Sequence, residues 1–155
     1  MFGRSIALAL ALCTLAGCGE AYRFFKSGPV SWALKKEVRD RGATRIVLSQ
    51  LTSFGWDQLY LFGPYSPKSE VCAELKVAAA DCDRKVRDDS TDDGEMLLVF
   101  RRAGEVVHVE LHYRWHGDFT PVPVAQPISR ERAVFRVQQE GQTASGGPWL
   151  KLVIE

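Results

Sequence analysis

The 155-residue chain has no run of about 20 apolar residues, the length a retained transmembrane helix needs. It has no G-x-S-x-G elbow and no glycine-rich phosphate loop, so the usual signatures of serine hydrolases and nucleotide-binding enzymes are missing. Neither charge is in excess: 20 Lys and Arg stand against 19 Asp and Glu. A nucleic-acid partner, which needs a basic face, is therefore not expected. Internal repeats and low-complexity tracts are also absent. Histidine is scarce at three residues, and cysteine at four.

What is present begins at the N-terminus. Arg4 precedes the apolar run "SIALALALCTLA", and small residues stand directly before Cys18, which is the build of a secretory signal peptide. The run is too short to span a bilayer, so its removal is expected. Leu15-Ala16-Gly17-Cys18 resembles the lipobox of bacterial lipoproteins. The resemblance implies a diacylglycerol thioether on Cys18, cleavage on its amino side, and anchoring in a lipid bilayer. The alternative is an ordinary signal peptide whose cleavage site lies beside a cysteine. Each buried methylene contributes ~0.8 kcal/mol, and two or more acyl chains make attachment effectively permanent. Gly19 and Glu20 follow the cysteine. In enteric-type lipoproteins an aspartate directly after the cysteine resembles an inner-membrane retention signal, and its absence favours the outer membrane, facing the periplasm. An inner-membrane or Gram-positive surface location is the other reading.

Three segments follow from this: a signal peptide over 1–17, a lipidated tether over 18–29, and one envelope domain over 30–155. A flexible tether of that length reaches roughly 20 Å, which keeps the domain near the bilayer. Its "YRFFK" stretch suits a membrane interface, or else Phe24 and Phe25 pack on the core. Cys13 leaves with the signal and Cys18 carries lipid, so Cys72 and Cys82 remain in an oxidising compartment and are expected to form a disulfide. A redox-active or metal-binding pair is the rival, but the spacing is not C-x-x-C and no histidine lies near in sequence.

Patterning predicts an α+β fold: about six strands in a mostly antiparallel sheet, with two helices. Val30, Leu34 and Val38 recur at i, i+4 and i+8 over a helix from Ser31 to Arg41, with Ser31 as its cap and Gly42 as its stop. Residues 44–51 and 57–63 read as strands. Ser66 is the expected N-cap of a second helix, with Pro67 at its first helical position, Glu70 near its positive end, Cys72 on it and Cys82 just past it. The segment "MLLVFRRAGEVVHVELHYRW" reads as a hairpin turning at Ala103-Gly104. "GDFTPVPVAQP" is a proline-punctuated excursion, and "AVFRVQQ" and "PWLKLVIE" are further strands.

Candidate chemistry is thin. His108, Glu110, His112, Arg114 and His116 alternate with Val107, Val109, Leu111, Tyr113 and Trp115, the period of a half-buried strand, so the histidine side is expected to be a solvated polar face. His108 and His112 would stand about 13 Å apart, too far to share one ion without ligands from other strands. Asp89, Thr91, Asp93 and Gly94 match the opening places of an EF-hand-like loop. The twelfth, where a bidentate glutamate belongs, is Phe100, so a hydrated turn is expected. No catalytic residues, metal site or cofactor are assigned, and an enzyme is the less favoured reading.

The segment "FGWDQLYLFGPYSP" carries Trp56, Asp57, Tyr60, Phe62, Pro64 and Tyr65 in the pattern W-D-x-L-Y-x-F-x-P-Y. It resembles a family of small bacterial lipoproteins and exported proteins of unassigned function, which implies a small α+β periplasm-facing domain and brings no catalytic residues. Alternation along this strand makes both faces apolar, so it should be central, with Asp57 accepting N–H bonds in the turn before it. The competing reading is an aromatic groove of Trp56, Tyr60 and Tyr65 for a peptide or glycan. The favoured function is a non-enzymatic, membrane-tethered module that contacts an envelope protein. The alternative is an envelope ligand-binding or metal-dependent protein using residues 56–65 and the His108/His112 face.

Overall fold

The computed structural model describes residues 26–155, so the expectations for the signal peptide, Cys18 and the tether through residue 25 lie outside the described residues. The described residues form a single small α+β domain with seven strands in two antiparallel sheets and three helices, where the sequence predicts about six strands in one sheet and two helices. Strands β1 (Arg45–Val47), β6 (Val134–Gln142) and β7 (Pro148–Ile154) form the smaller sheet, in the order β1-β6-β7. The larger has the order β4-β3-β2-β5, from β2 (Gln58–Phe62), β3 (Glu95–Arg102), β4 (Glu105–Tyr113) and β5 (Ile128–Ser129).

Helix α1 (Pro29–Lys35) continues through a π-helical turn to Asp40 and buries Val30, Leu34 and Val38, the three residues whose spacing predicts it. Gly42 follows with φ of +65°, as a stop requires. Ser31 is not the cap. Gly28 holds that position, and Ser31 lies inside the helix, wholly buried. The fold also starts before residue 30, because Ser27 bridges to Leu111 and the Gly28 N–H donates to the Leu111 carbonyl at 3.1 Å.

Two cores follow from the period of two along β2 and β3. Leu59, Leu61, Met96, Leu98 and Phe100 face α1 and the smaller sheet, where they meet Ile46, Phe135 and Leu152. Tyr60, Leu97, Val99 and Leu111 face the opposite way, onto α2 (Lys68–Glu74) and α3 (Ala79–Lys85) through Val71, Cys72 and Leu75. Strand β2 is thus interior, as its two apolar faces predict.

Cys72 and Cys82 are disulfide-bonded. Cys82 lies within α3 rather than past a helix end: the chain breaks at Lys76, whose φ is +54°, and the alanine-rich stretch beyond starts a new helix. The bond therefore joins two helices. Ser66 does not cap α2; its hydroxyl turns back to the Gly63 carbonyl at 2.8 Å, and Pro67 occupies the cap position. Residues 117–127 contain no strand and return the chain to β5. There the Gln126 side-chain amide accepts from Leu61 N–H at 2.6 Å and donates to Leu61 C=O at 3.0 Å, completing the edge of β2 as a peptide group would.

Candidate functional site

The histidine side of β4 is not solvated. His112 and Glu110 are buried, and His116, on the turn that follows, is buried as well. The correction has a physical cause: α1 lies across this face and brings complementary polar groups with it. Glu110 accepts the helix-start N–H groups of Val30 at 3.2 Å and Ser31 at 2.7 Å, and bonds His108 Nε2 at 2.7 Å. A carboxylate at a helix N-terminus is favoured by both the unpaired donors and the dipole.

Ser31 is the hub of the other half. Its Oγ lies 2.9 Å from His112 Nδ1, 2.8 Å from His116 Nδ1, and 3.2 Å from the Tyr113 N–H, which donates to it. His112 Nε2 lies 2.6 Å from the Gly117 carbonyl, so that nitrogen carries a proton. Neutral His112 therefore accepts at Nδ1 from the serine hydroxyl. The serine's two lone pairs are then left for Tyr113 N–H and His116 Nδ1–H, and every group is matched. Burial lowers the His112 pKa, and burial, with the adjoining basic groups His112, Lys35 and Arg39 opposing a further positive charge, lowers that of His116 from 6.5 to about 3.

This has a pH consequence. The unfolded chain takes up these protons near pH 6.5, whereas the folded chain resists until about pH 3 at His116. The stability contributed by the neutral imidazoles is complete above about pH 6.5 and is lost progressively as pH falls toward 3. Urea denaturation between pH 7 and pH 4 should show the midpoint falling on acidification, and His116→Gln should flatten part of that fall. A pH-independent midpoint in the unsubstituted chain would contradict the assignment.

Ser31 and His112 form a serine–histidine hydrogen bond that sequence spacing does not reveal. It is not a nucleophile and base: both residues have no exposed surface, and the hydroxyl's lone pairs are occupied. His112 has both ring nitrogens engaged and cannot ligate an ion without breaking the network. Among the described residues, no group of three or more His, Cys, Asp or Glu side chains could hold a metal ion.

A second buried polar centre, Asp118, sits in the "GDF" turn. Arg114 donates to both its carboxylate oxygens, at 3.0 and 3.1 Å; the Thr120 N–H donates at 2.9 Å, Trp149 Nε1 at 2.8 Å, and Lys151 Nζ pairs at 2.8 Å. Burial alone would raise this carboxyl's pKa, but the bonds from Arg114, Lys151, Thr120 and Trp149 outweigh it and hold the pKa well below the usual carboxylate range. Arg39 links the same region to the turn after α1, donating to the Trp115 and Pro148 carbonyls, both at 2.7 Å, and lying 3.6 Å over the Trp115 ring.

The motif residues are divided rather than assembled. Trp56 is in the core facing the smaller sheet, edge-on to Phe100 at 5.2 Å and bonded to Thr52 Oγ1, whereas Tyr60 and Phe62 lie on the helix-covered face. Trp56 and Tyr60 cannot line one groove from opposite sides of a sheet. Asp57 does accept a backbone N–H, but from Ala103 in the β3–β4 turn at 2.8 Å and not from the turn before it. Pro64 is half-buried, and Tyr65 is 63% exposed with φ of +58°, its N–H held by Ser90 Oγ at 3.2 Å. In the EF-hand-like stretch, Asp92 rather than Asp93 holds the turn, through Gly94 N–H, and Phe100 is fully buried in β3.

The chain matches no protein-family model, no curated protein and no solved structure.

Proposed function

We propose that this chain is an exported lipoprotein, cleaved before Cys18 and acylated there, whose folded domain acts by contact with an envelope partner and has no catalysis of its own. The observation that carries the reading is Leu15-Ala16-Gly17-Cys18, placed directly after a short apolar run. The Cys72–Cys82 bond supports an oxidising compartment. No helix among the described residues is long and apolar enough to cross a membrane, so a lipid on Cys18 is the means of attachment in this reading. The buried state of Ser31, His112, Glu110 and Asp118 supports contact over catalysis, since these groups are consumed in holding elements together. The outer membrane, facing the periplasm, is the favoured site.

Metabolic labelling with an alkyne fatty acid tests this. Label is expected on a membrane-associated chain whose mass begins at Cys18, and Cys18→Ser should abolish both the label and the membrane association. An unlabelled chain retaining residues 1–17 would overturn it.

A further inference from the structure

Helix α3 is held to the domain by few side chains. None of its seven residues is fully buried, and a helix that short is not stable alone. Its ion pairs to other elements are Lys68 with Asp83 at 3.1 Å and Lys85 with Glu105 at 2.7 Å, both with an exposed carboxylate, and pairs of that kind hold weakly. The chain approaches α3 through Lys76, at φ of +54°, and through Ala78 to Ala80, all three exposed. It leaves through Val86, which is fully buried in the core beneath. Between those ends, the bond from Cys82 to Cys72 fastens α3 to α2.

The two sulfur-bearing residues are not equally accessible. Cys72 is 3% exposed, in the core between α2 and the larger sheet, whereas Cys82 is half-buried. Both line a groove of about 460 Å³ between α2 and α3. Ser69, Ala73 and Ala79 line it too, and their short side chains leave the bond approachable from solvent. An attacking thiolate entering there meets Cys82 Sγ as the less covered of the two sulfurs.

We propose that this groove is a site of thiol–disulfide exchange with a protein dithiol, and that the Cys72–Cys82 bond is a reducible latch on α3. A thiolate of the dithiol attacks Cys82 Sγ, the S–S bond breaks, and Cys72 leaves as a thiolate that takes up the proton given up by the attacking thiol. The partner's second thiol then attacks the mixed disulfide, so that Cys82 becomes a thiol and the partner a disulfide. Two electrons and two protons pass to this chain. With the bond gone, α3 opens, while the two sheets, which contain neither cysteine, stay folded. The inference does not depend on acylation of Cys18.

The probe for exchange is a thioredoxin whose resolving cysteine is replaced by serine, mixed with the purified oxidised protein. Peptide mapping should find the trapped mixed disulfide on Cys82. Ala73→Phe, at an exposed position of the groove, should slow trapping about tenfold. For the latch, amide exchange is read at Val86, whose N–H bonds the Cys82 carbonyl at 2.7 Å, before and after reduction with dithiothreitol. Reduction should accelerate it about a hundredfold, the factor that closing a loop of about ten residues represents in the chain-entropy model. Trp32, Trp56, Trp115 and Trp149 all lie outside α2 and α3, so their fluorescence reports the rest of the domain and should keep a cooperative urea transition in the reduced protein. Trapping on Cys72, trapping only in denaturant, or a rate that Ala73→Phe leaves unchanged would overturn the exchange site. Unchanged exchange at Val86, or loss of the tryptophan transition on reduction, would overturn the latch.

Discussion

Replacing Asp118 with alanine should cost about 3–5 kcal/mol, the usual penalty for removing one partner of a buried charge pair. The reason lies in what stays behind. Arg114, Lys151, Trp149 Nε1 and the Thr120 N–H all lose a fully buried acceptor at once, and two of them are cations. The damage spreads because these donors come from three places: the turn after β4, the excursion that follows it, and β7. Backbone bonds at Asp118 tie the same places together, its N–H donating to Leu150 C=O and its carbonyl accepting from Leu152 N–H. Urea denaturation followed by tryptophan fluorescence would measure the loss. Arg114→Ala added to Asp118→Ala should cost far less than Arg114→Ala alone, since the pair is already broken. Additive costs would show that Asp118 does not organise this corner.

Gly28→Ala is the second large effect. A Cβ at Gly28 would lie 2.4 Å from Cβ, Cδ and Oε2 of Glu110. Cβ cannot swing aside as a side-chain tip can, so either α1 lifts from β4 or Glu110 leaves its place. Overpacking of this kind costs about 1–3 kcal/mol. Losing the carboxylate's bonds to the buried Val30 and Ser31 N–H groups adds a further ~1–3 kcal/mol. Gly42 provides the comparison: a Cβ there meets nothing within 4 Å, so Gly42→Ala bears only the strain of its positive φ, about 1 kcal/mol. Thermal melts of the two variants should separate clearly, with Gly28→Ala lower. Hydrogen exchange should place its added opening in α1. Equal melting temperatures would contradict the close approach.

The elements legible in the sequence were those whose information is local. Val30, Leu34 and Val38 declare a helix through their spacing, Ala103-Gly104 declares a two-residue hairpin, and Leu59 to Phe62 declare a strand buried on both faces. The Cys72–Cys82 bond followed from counting thiols. What stayed hidden depends on which element covers which face. Alternation separates the His108-Glu110-His112 side from the valine side, but water and a helix start with unpaired N–H groups both satisfy polar side chains. The pattern of β4 alone cannot distinguish them. Ser31 suited a cap by composition, yet its hydroxyl is needed one turn's depth inside, between two imidazoles. Strand β1 pairs with β6, Ile46 opposite Phe135, and no local signal sends it to a second sheet. For Asp118, Arg114 and Thr120 were near enough to notice, but Trp149 and Lys151 arrive from the far end of the chain.

The turn between β3 and β4 carries a last implication, for the order of assembly. Ala103 holds φ of +49° and Gly104 holds +83°, a pair of left-handed residues of which only the second is a glycine. The first is steadied by Asp57, whose carboxylate takes the Ala103 N–H from the start of β2, on the far side of β3. The turn is held both from within the hairpin, where Arg101 donates to the Gly104 carbonyl, and from the chain entering β2, so its full set of bonds exists only once three strands are together.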